Sequence, residues 1–224
     1  MNKRIVFAIG ALMLAWSVPA QNRLVSASDR NIAYEGRILQ RADAAELIWS
    51  GTTATLRFEG TTVSAVLQDL DTANYYNVIV DNEVVSKLHV SKEKKSYVLA
   101  SGLIAGAHSV QLFKRTEWDK GKTLFYGFEL DAEARVLPPA APKKRKIEFY
   151  GNSITCGYAI EDTVGLDRWF GYFQNNYVTY AAITARHFDA QYSCIGKSGI
   201  GIMVSWFPMI MPEMYDRIDP NDPN

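Results

Sequence analysis

The chain of 224 residues is long enough for one large domain or two modest ones, and its 48% of hydrophobic and 12% of aromatic residues are ample for a buried core. Its 24 basic side chains balance its 24 acidic ones, so the formal net charge is zero. A neutral chain has no overall field that would attract nucleic acid or an acidic membrane. We therefore predict no nucleic-acid partner, whereas neutral ligands such as sugars are compatible with this charge.

The first segment, residues 1–20, has the anatomy of a signal peptide. Two basic residues precede an apolar run that ends at Trp16, and a small-residue cleavage site follows at Ala20. The run is roughly a dozen residues, short of the ~20 that a membrane-spanning helix needs. We predict a bacterial-type signal peptide and a mature protein that is secreted or periplasmic, with no membrane attachment after cleavage.

Two cysteines, Cys156 and Cys194, could form one disulfide in an exported protein. Two buried free thiols that act as small hydrophobic side chains are the favoured alternative. No Cys-x-x-Cys pair or histidine cluster in the sequence has metal-ligand spacing, so no metal site is predicted.

Residues 22–137 consist of short apolar and polar alternations separated by turn residues. Such strands at roughly ten-residue spacing, with no helical period between them, predict an antiparallel β-sandwich, specifically a jelly roll. Two hairpins are predicted, one around Glu59-Gly60 and one around Asp81-Asn82.

The stretch "AEARVLPPAAPKKRK" breaks this rhythm with prolines and a basic run, and its residues 138–146 are predicted to be an interdomain linker. We interpret the basic run as solvated and not as a nucleic-acid patch. From residue 147 to 224 the pattern is a strand "KIEFYG", a helix "YVTYAAITARHF" and a strand "AQYSCIG". This order predicts a βαβ unit with a parallel sheet. The helix should bury the face that carries Val178, Ala182, Ala185 and Phe188.

Ser153 follows the first strand of this βαβ unit, in "IEFYGNSITCGYAI". Ligands of parallel sheets bind beyond the carboxyl ends of the strands, and Gly151 permits a tight turn there. A serine at this place could attack a carbonyl, but serine is also a preferred residue for capping a helix. Spacing alone leaves both interpretations open.

The stretch "IEFYGNSITCGYAI" resembles the first block of the GDSL-type SGNH hydrolases, and "CIGKSGIGI" resembles their second block. A sandwich followed by both blocks resembles, more narrowly, carbohydrate esterase family 2, the two-domain deacetylases of plant polysaccharides. The resemblance implies a partial, flavodoxin-like SGNH domain with a parallel sheet after the sandwich. It also implies that Ser153 is the nucleophile and that the backbone N–H groups of Ser153 and Gly199 donate to the oxyanion. Asn152 departs from the aspartate most common in the family at this position.

The predicted constellation lacks a base. His89 and His108 fall in predicted strands of the sandwich, and His187 falls at the end of the predicted helix. The family carries its catalytic histidine in an Asp-x-x-His motif further toward the C-terminus, and this motif does not occur in the sequence. We therefore expect a truncated hydrolase domain that is inactive as it stands.

The leading hypothesis is a secreted acetyl esterase that removes O-acetyl groups from an oligo- or polysaccharide such as xylan or glucomannan, without a cofactor. Trp169 and Tyr172 could stack on sugar rings near the serine, although core packing is an equal alternative. The rival hypothesis is a non-catalytic carbohydrate-binding sandwich with a vestigial serine block. Its candidate binding residues are Trp49, Tyr75, Tyr76 and Trp118.

Overall fold

The structure is a computed structural model, and it describes residues 22–222. The predicted signal peptide, residues 1–20, lies outside the described residues. Within the described range no helix is both long and apolar enough to cross a bilayer.

Short strands occupy most of the chain from residue 23 to residue 137, as the alternating pattern predicts. Their bounds are β1, Arg23–Ser26; β2, Ala33–Glu35; β3, Ile38–Gln40; β4, Ala45–Leu47; β5, Thr53–Glu59; β6, Val63–Asp69; β7, Tyr75–Val80; β8, Glu83–His89; β9, Lys95–Ala100; β10, Ala107–Lys114; β11, Thr123–Leu130; and β12, Arg135–Leu137. A 3₁₀ turn, Trp118–Lys120, lies between β10 and β11.

These strands form two six-stranded sheets in which every pair is antiparallel. The first sheet has the order β3-β4-β11-β6-β9, with β1 also paired to β11. The second has the order β12-β5-β10-β7-β8, with β2 also paired to β5. The antiparallel sheets of the sequence-based prediction are therefore confirmed, whereas the jelly-roll topology stays a prediction. We call residues 23–137 the sandwich.

The core of the sandwich lies between the two sheets and takes alternate side chains from each strand. In β5, Ala54, Leu56 and Phe58 are buried in this core, and the residues between them are less buried. Phe125 and Phe128 of β11 contribute from the other sheet and meet edge to face at 4.9 Å. The period of two in the sequence is therefore the direct cause of this layer.

One of the two predicted hairpins forms and the other does not. Asp81 and Asn82 have positive φ angles of 50° and 73° and join the paired strands β7 and β8, which is the conformation of a tight hairpin turn. The predicted hairpin at Glu59-Gly60 is wrong, because β5 and β6 belong to different sheets. The turn instead takes the chain from β5 in the second sheet to β6 in the first sheet, on the other side of the core.

The remainder of the described chain, residues 145–222, forms the α/β segment. It contains strand β13, Arg145–Gly151; helix α1, Ser153–Cys156; helix α2, Tyr180–His187; and strand β14, Ala190–Gly196, with 3₁₀ turns at Gly171–Phe173, Asn176–Val178 and Met211–Glu213. Strands β13 and β14 pair in parallel, so the predicted βαβ unit is present. The full parallel sheet of a flavodoxin-like domain, and the domain division at 138–146, stay predictions.

The buried face of α2 agrees with the predicted one at Ala182 and Ala185 but not at Val178 and Phe188. Ala181, Ala182 and Ala185 are buried, whereas Val178 and Phe188 are 42% and 49% exposed. The reason is that α2 begins after Thr179, whose side-chain oxygen accepts a hydrogen bond from the Ala182 N–H at 3.3 Å, and it ends before Phe188. Both misplaced residues lie outside the helix, where the helical period does not apply.

The α/β segment packs on the outer face of the sandwich and shares two apolar clusters with it. One cluster joins Ile79 and Phe113 of the second sheet to Tyr192 and the buried alanines of α2. The other joins Ile48, Trp49 and Trp118 of the sandwich to residues that include Ile195, Ile200 and Met214. The outer face of the second sheet is therefore partly covered, and the α/β segment buries part of its apolar surface against the sandwich.

Gly51 lies at a close contact between the two parts. Its φ is +74°, and a Cβ placed on it would collide with the ring of Tyr192 and lie 2.6 Å from Asn176 Oδ1. The same Asn176 oxygen accepts a hydrogen bond from the Tyr192 hydroxyl at 2.9 Å. A bare backbone is therefore required at this point of contact.

Candidate active site

The two sequence blocks lie side by side at one edge of the parallel strand pair. The pairing of β13 with β14 runs in register from Arg145 opposite Ala190 to Gly151 opposite Gly196, so both carboxyl ends meet at the same edge. The Lys197 N–H donates to the Gly151 carbonyl at 3.2 Å and holds the two loops together as they leave the strands. Ser153 and Gly199 therefore follow neighbouring strands within three residues of their ends.

Asn152, and not Ser153, caps the helix that starts here. Its side-chain oxygen accepts a hydrogen bond from the Ile154 N–H at 3.2 Å, and Ser153 is the first residue of α1. Within residues 22–222, Ser153 Oγ has no hydrogen-bond partner, and the residue is only partly buried. A side chain at Gly151 would collide with Thr155, which explains the glycine at the strand-to-helix turn. The alternative in which Ser153 is the cap is therefore wrong.

Two backbone amides at this edge are free to donate. The first N–H groups of a helix have no intrahelical acceptor, and the Ser153 amide is one of them. The Gly199 amide has no acceptor in the part of the chain that the structure describes, whereas its carbonyl accepts from the Trp206 N–H at 3.0 Å. These are the two donors that the family resemblance implies, and their availability is compatible with an oxyanion hole.

A carboxylate of the sandwich holds the loop that carries Gly199. Glu117 Oε2 accepts from the Ser198 N–H at 2.7 Å, and Glu117 Oε1 accepts from Ser198 Oγ at 2.5 Å. Glu117 is 1% exposed. Burial, followed by the negative charge of Asp119, raises the pKa of the Glu117 carboxyl, and its hydrogen bonds to Ser198 oppose the shift. Glu117 could not be singled out from the sequence, because its partner lies 81 positions away.

The loop of Glu117 is itself organised by a buried lysine. Lys114 is fully buried, and its Nζ donates to the carbonyls of Ile48, Thr116, Glu117 and Gly121 at 2.8–3.3 Å. Burial lowers the pKa of Lys114 to about 7. A single side chain thus binds three carbonyls of the loop between β10 and β11 and one carbonyl of the segment that follows β4.

None of the three histidines is hydrogen-bonded to Ser153 in the described structure. His89 Nε2 pairs with the Thr72 carbonyl at 2.8 Å, and the ring stacks on Tyr75. His108 Nδ1 pairs with Asp81 Oδ2 at 2.6 Å, and this bond raises the pKa of His108. His187 is exposed at the end of α2. The described residues therefore provide no base in contact with the serine.

The predicted sugar-stacking residues, Trp169 and Tyr172, are exposed by 56% and 51%, so core packing is not their role. Neither ring is hydrogen-bonded to Ser153 in the described structure. Their role in stacking on a sugar stays a prediction. Trp206, which is not among the site residues predicted from the sequence, is 91% exposed. Its ring lies 3.0 Å from the position that a Cβ on Gly199 would occupy. The only signal in the sequence is a tryptophan in an apolar stretch seven residues after Gly199, and its exposure is visible only in the structure.

The aromatic residues of the rival binding hypothesis do not form a surface. Trp49, Tyr76 and Trp118 are exposed by 1%, 0% and 8%, so they belong to the packed interior. Tyr75 is partly buried and stacks on His89 at 4.5 Å. These four residues therefore provide no platform for a sugar chain.

Cys156 and Cys194 are both buried, free thiols, which is the favoured prediction. The Asn176 amide donates to the Thr155 and Cys156 carbonyls of α1 and to Cys194 Sγ of β14 at 3.6 Å, so one side chain joins the two elements that carry the thiols. Among residues 22–222, no group of three or more His, Cys, Asp or Glu side chains is placed to hold a metal ion.

Residues 34–140 match the family model described as "Carbohydrate esterase 2 N-terminal". Over 187 residues the chain is 35% identical to the cellulase/esterase CelE of Acetivibrio thermocellus, an alignment that covers 83% of this chain and 23% of CelE. The structure of a family two carbohydrate esterase from Clostridium thermocellum in complex with cellohexaose superposes with a TM-score of 0.81 at 34% identity, over 85% of this chain and 59% of that one. Residues 34–140 therefore belong to the N-terminal domain of carbohydrate esterase family 2.

A second relative in this family is an acetylxylan esterase / glucomannan deacetylase of Cellvibrio japonicus, 27% identical over 194 residues. That alignment covers 85% of this chain and 53% of the relative. The chain therefore spans about a quarter to a half of the length of these two curated relatives. The named members are esterases, so the predicted resemblance to carboxylic ester hydrolases is confirmed.

Proposed function

We propose that this chain supplies the nucleophile and two oxyanion donors of a secreted or periplasmic carbohydrate O-deacetylase. The observation that carries the proposal is the uncommitted hydroxyl of Ser153 beside free amides at the joint edge of β13 and β14. Because Asn152 satisfies the helix end, Ser153 Oγ keeps its capacity to attack. The esterase names of the relatives support ester hydrolysis as the chemistry.

The proposed reaction has two steps. Ser153 Oγ attacks the carbonyl carbon of an O-acetyl group while a base takes its proton, and the carbonyl oxygen becomes an oxyanion. The amides of Ser153 and Gly199 donate to this oxygen, and each such donor lowers the barrier by roughly 3–4 kcal/mol. The sugar hydroxyl leaves with the proton, and water then hydrolyses the acetyl-serine and releases acetate.

The proposed base is a histidine that these 224 residues do not provide. The three histidines of the chain are committed elsewhere or lie at the far end of α2, as described above. A serine at its ordinary pKa is a weak nucleophile without a base in hydrogen-bond reach. In this proposal the chain supplies the nucleophile and two oxyanion donors but not the base that accepts the serine proton.

The proposed substrate is an acetylated oligo- or polysaccharide such as acetylated xylan or glucomannan. The names of the C. japonicus relative and the cellohexaose bound to the C. thermocellum esterase support a carbohydrate. The exposed ring of Trp206 beside Gly199 could form an apolar face against a sugar ring, and Trp169 and Tyr172 could extend it.

The test replaces the missing base with free imidazole. We expect this chain and its Ser153→Ala variant to hydrolyse 4-nitrophenyl acetate at the background rate when imidazole is absent. With imidazole added, the unmodified chain should exceed the variant by at least about ten-fold, because a general base contributes 10²–10⁴-fold when it is well placed. The variant measures the hydrolysis that imidazole catalyses by itself.

Equal rates of the two proteins at high imidazole would exclude Ser153 as the nucleophile. Turnover that depends on Ser153 but needs no imidazole would contradict the proposal that no histidine of this chain acts as the base. His187→Ala would then be the first variant to measure. The same comparison with an acetylated xylo-oligosaccharide, read out as released acetate, tests the substrate class.

A further inference from the structure

The β-sandwich reaches into the edge of the parallel strands at one point. Three consecutive residues after β10, Glu117, Trp118 and Asp119, contact the loop that follows β14. Lys197 of that loop lies over the Trp118 ring at 4.4 Å, and its Nζ is 4.0 Å from Asp119 Oδ2. These contacts are weak individually, because Lys197 remains partly exposed. The strong contact is the one that Glu117 makes with Ser198.

Glu117 is fixed at each of its polar groups. Its N–H donates to Gln174 Oε1 at 2.9 Å, and its carbonyl accepts from Lys114 Nζ at 3.2 Å. Both oxygens of its carboxylate are taken by Ser198, one by the amide and one by the hydroxyl. A buried carboxylate with this geometry allows little rotation of its partner, since bonds to a charged acceptor are about twice as strong as neutral ones.

The residue after Ser198 is Gly199, the predicted oxyanion donor. The turn that contains it is closed by the Ile200 N–H, which donates to the Lys197 carbonyl at 3.2 Å. Holding the Ser198 amide therefore fixes the peptide plane that precedes the Gly199 amide. A donor stabilises an oxyanion only if it is already aimed when the charge develops.

We infer that Glu117 of the sandwich is a positioning residue for the Gly199 amide, so that the sandwich takes part in the proposed reaction through the Ser198 contact. The effect of Glu117 on catalysis rests on the proposed function. The ordering of residues 197–200 by Glu117 does not depend on any activity.

The first measurement is amide hydrogen exchange by NMR on the chain and its Glu117→Ala variant. We expect the Ile200 amide to exchange at least ten-fold faster in the variant, because the turn loses its anchor. The amides of Cys194 and Ile195, inside β14, should keep their rates. Glu117→Gln, which retains one oxygen acceptor for the Ser198 amide, should fall between the two proteins.

Glu148→Gln is the matched control. Glu148 also joins the sandwich to the α/β segment through a carboxylate, which accepts from Arg37 at 3.0 Å and from Ser193 Oγ at 3.0 Å. It lies on β13 and does not contact the turn after β14, so its variant should leave the Ile200 amide unchanged. Equal acceleration in Glu117→Ala and Glu148→Gln, or acceleration throughout β14, would reduce Glu117 to a general stabilising contact and overturn the inference.

The second measurement is the imidazole-dependent turnover of 4-nitrophenyl acetate. Glu117→Ala should lower kcat by about 10–100-fold with KM within about two-fold, since one misplaced oxyanion donor affects only the transition state. A kcat that stays unchanged in Glu117→Ala, while Ser153→Ala abolishes turnover, would overturn the catalytic part of the inference and leave the proposed function intact. If Ser153→Ala has no effect, the proposed function fails, and hydrogen exchange alone decides whether Glu117 orders the turn.

Discussion

Asn152 and Ser153 divide two tasks that serine alone could have performed at this turn. The amide oxygen of Asn152 satisfies the Ile154 N–H, and the hydroxyl of Ser153 is left without a partner in the described structure. The capping function is therefore supplied by the residue at which this chain departs from the aspartate common in the family. Asparagine and aspartate cap helices about equally well, so the departure preserves the turn.

The cap can be measured by substitution at position 152. Asn152→Ala should lower the free energy of unfolding by about 1 kcal/mol, because the Ile154 N–H loses its acceptor. Asn152→Asp should stay within a few tenths of a kcal/mol, because a carboxylate also accepts this bond and favours a helix N-terminus. Urea unfolding measures both changes. Equal stability of the two variants would contradict the capping role.

Some of the site residues could be predicted from the sequence and others could not. Ser153 and Gly199 lie in short blocks whose local pattern predicts strand ends, and the structure brings those ends together. Glu117 lies far away along the chain, and its hydrogen bonds to Ser198 depend on how two separately predicted parts pack. Composition and spacing describe neighbours along the chain, so a contact of this kind leaves no local pattern.

Among the elements, the loop between β10 and β11 depends on one buried side chain. Four carbonyls, those of Ile48, Thr116, Glu117 and Gly121, share Lys114 Nζ as a donor. The loop therefore keeps its shape without regular secondary structure beyond a single 3₁₀ turn. Because Glu117 belongs to this loop, Lys114 contributes indirectly to the position of the carboxylate.

Lys114→Met should destabilise the protein strongly. The variant keeps the apolar part of the side chain but leaves several buried carbonyls without a donor, and we expect a loss of about 3 kcal/mol. For a chain of this size such a loss corresponds to a drop in Tm of roughly 6–12 °C. Lys92→Met, at an exposed position, is the matched control and should change Tm little. Similar Tm values for the two variants would contradict the structural role of Lys114.

The elements themselves were predicted well where periodicity alone decides, as in β7, β8 and the βαβ unit. The hairpin at Glu59-Gly60 was wrong because β5 and β6 both alternate with period two, and this pattern does not reveal which sheet a strand joins. The predicted helix face was right for Ala182 and Ala185 and wrong for Val178 and Phe188, because those two residues continue the apolar pattern beyond the ends of α2. Turn residues indicate where the chain bends and not where it goes next.

The molecule as a whole is held together by two apolar clusters that the sandwich and the α/β segment share. Trp49 and Trp118 of the sandwich pack in one cluster with Ile195 and Met214, and Ile79 packs in another with Tyr192. The linker predicted at 138–146 therefore connects two parts with a common core. Sequence could not reveal this arrangement, because each part alone has a plausible pattern of buried residues.

The shared interior predicts that the chain unfolds in one cooperative transition. Tryptophan fluorescence and far-UV circular dichroism should give coincident urea curves. Ile195→Ala should shift both curves together and lower the free energy of unfolding by about 3 kcal/mol, because it empties a fully buried position at the shared cluster. Ile183→Ala, at a position 49% exposed on α2, is the control. Two separate transitions would show that the parts fold independently.

The bare backbone at Gly51 limits how these two parts can be recombined. An unrelated sandwich placed before the same α/β segment would bring a Cβ to this point unless it also carried glycine there, and Tyr192 would have no space for its ring. The hydroxyl of Tyr192 would then lose Asn176, the residue that supports the peptide groups of α1. Domains that are joined only by a flexible linker can be exchanged easily. In this molecule, an exchange of either part would have to keep Gly51 and Tyr192 together.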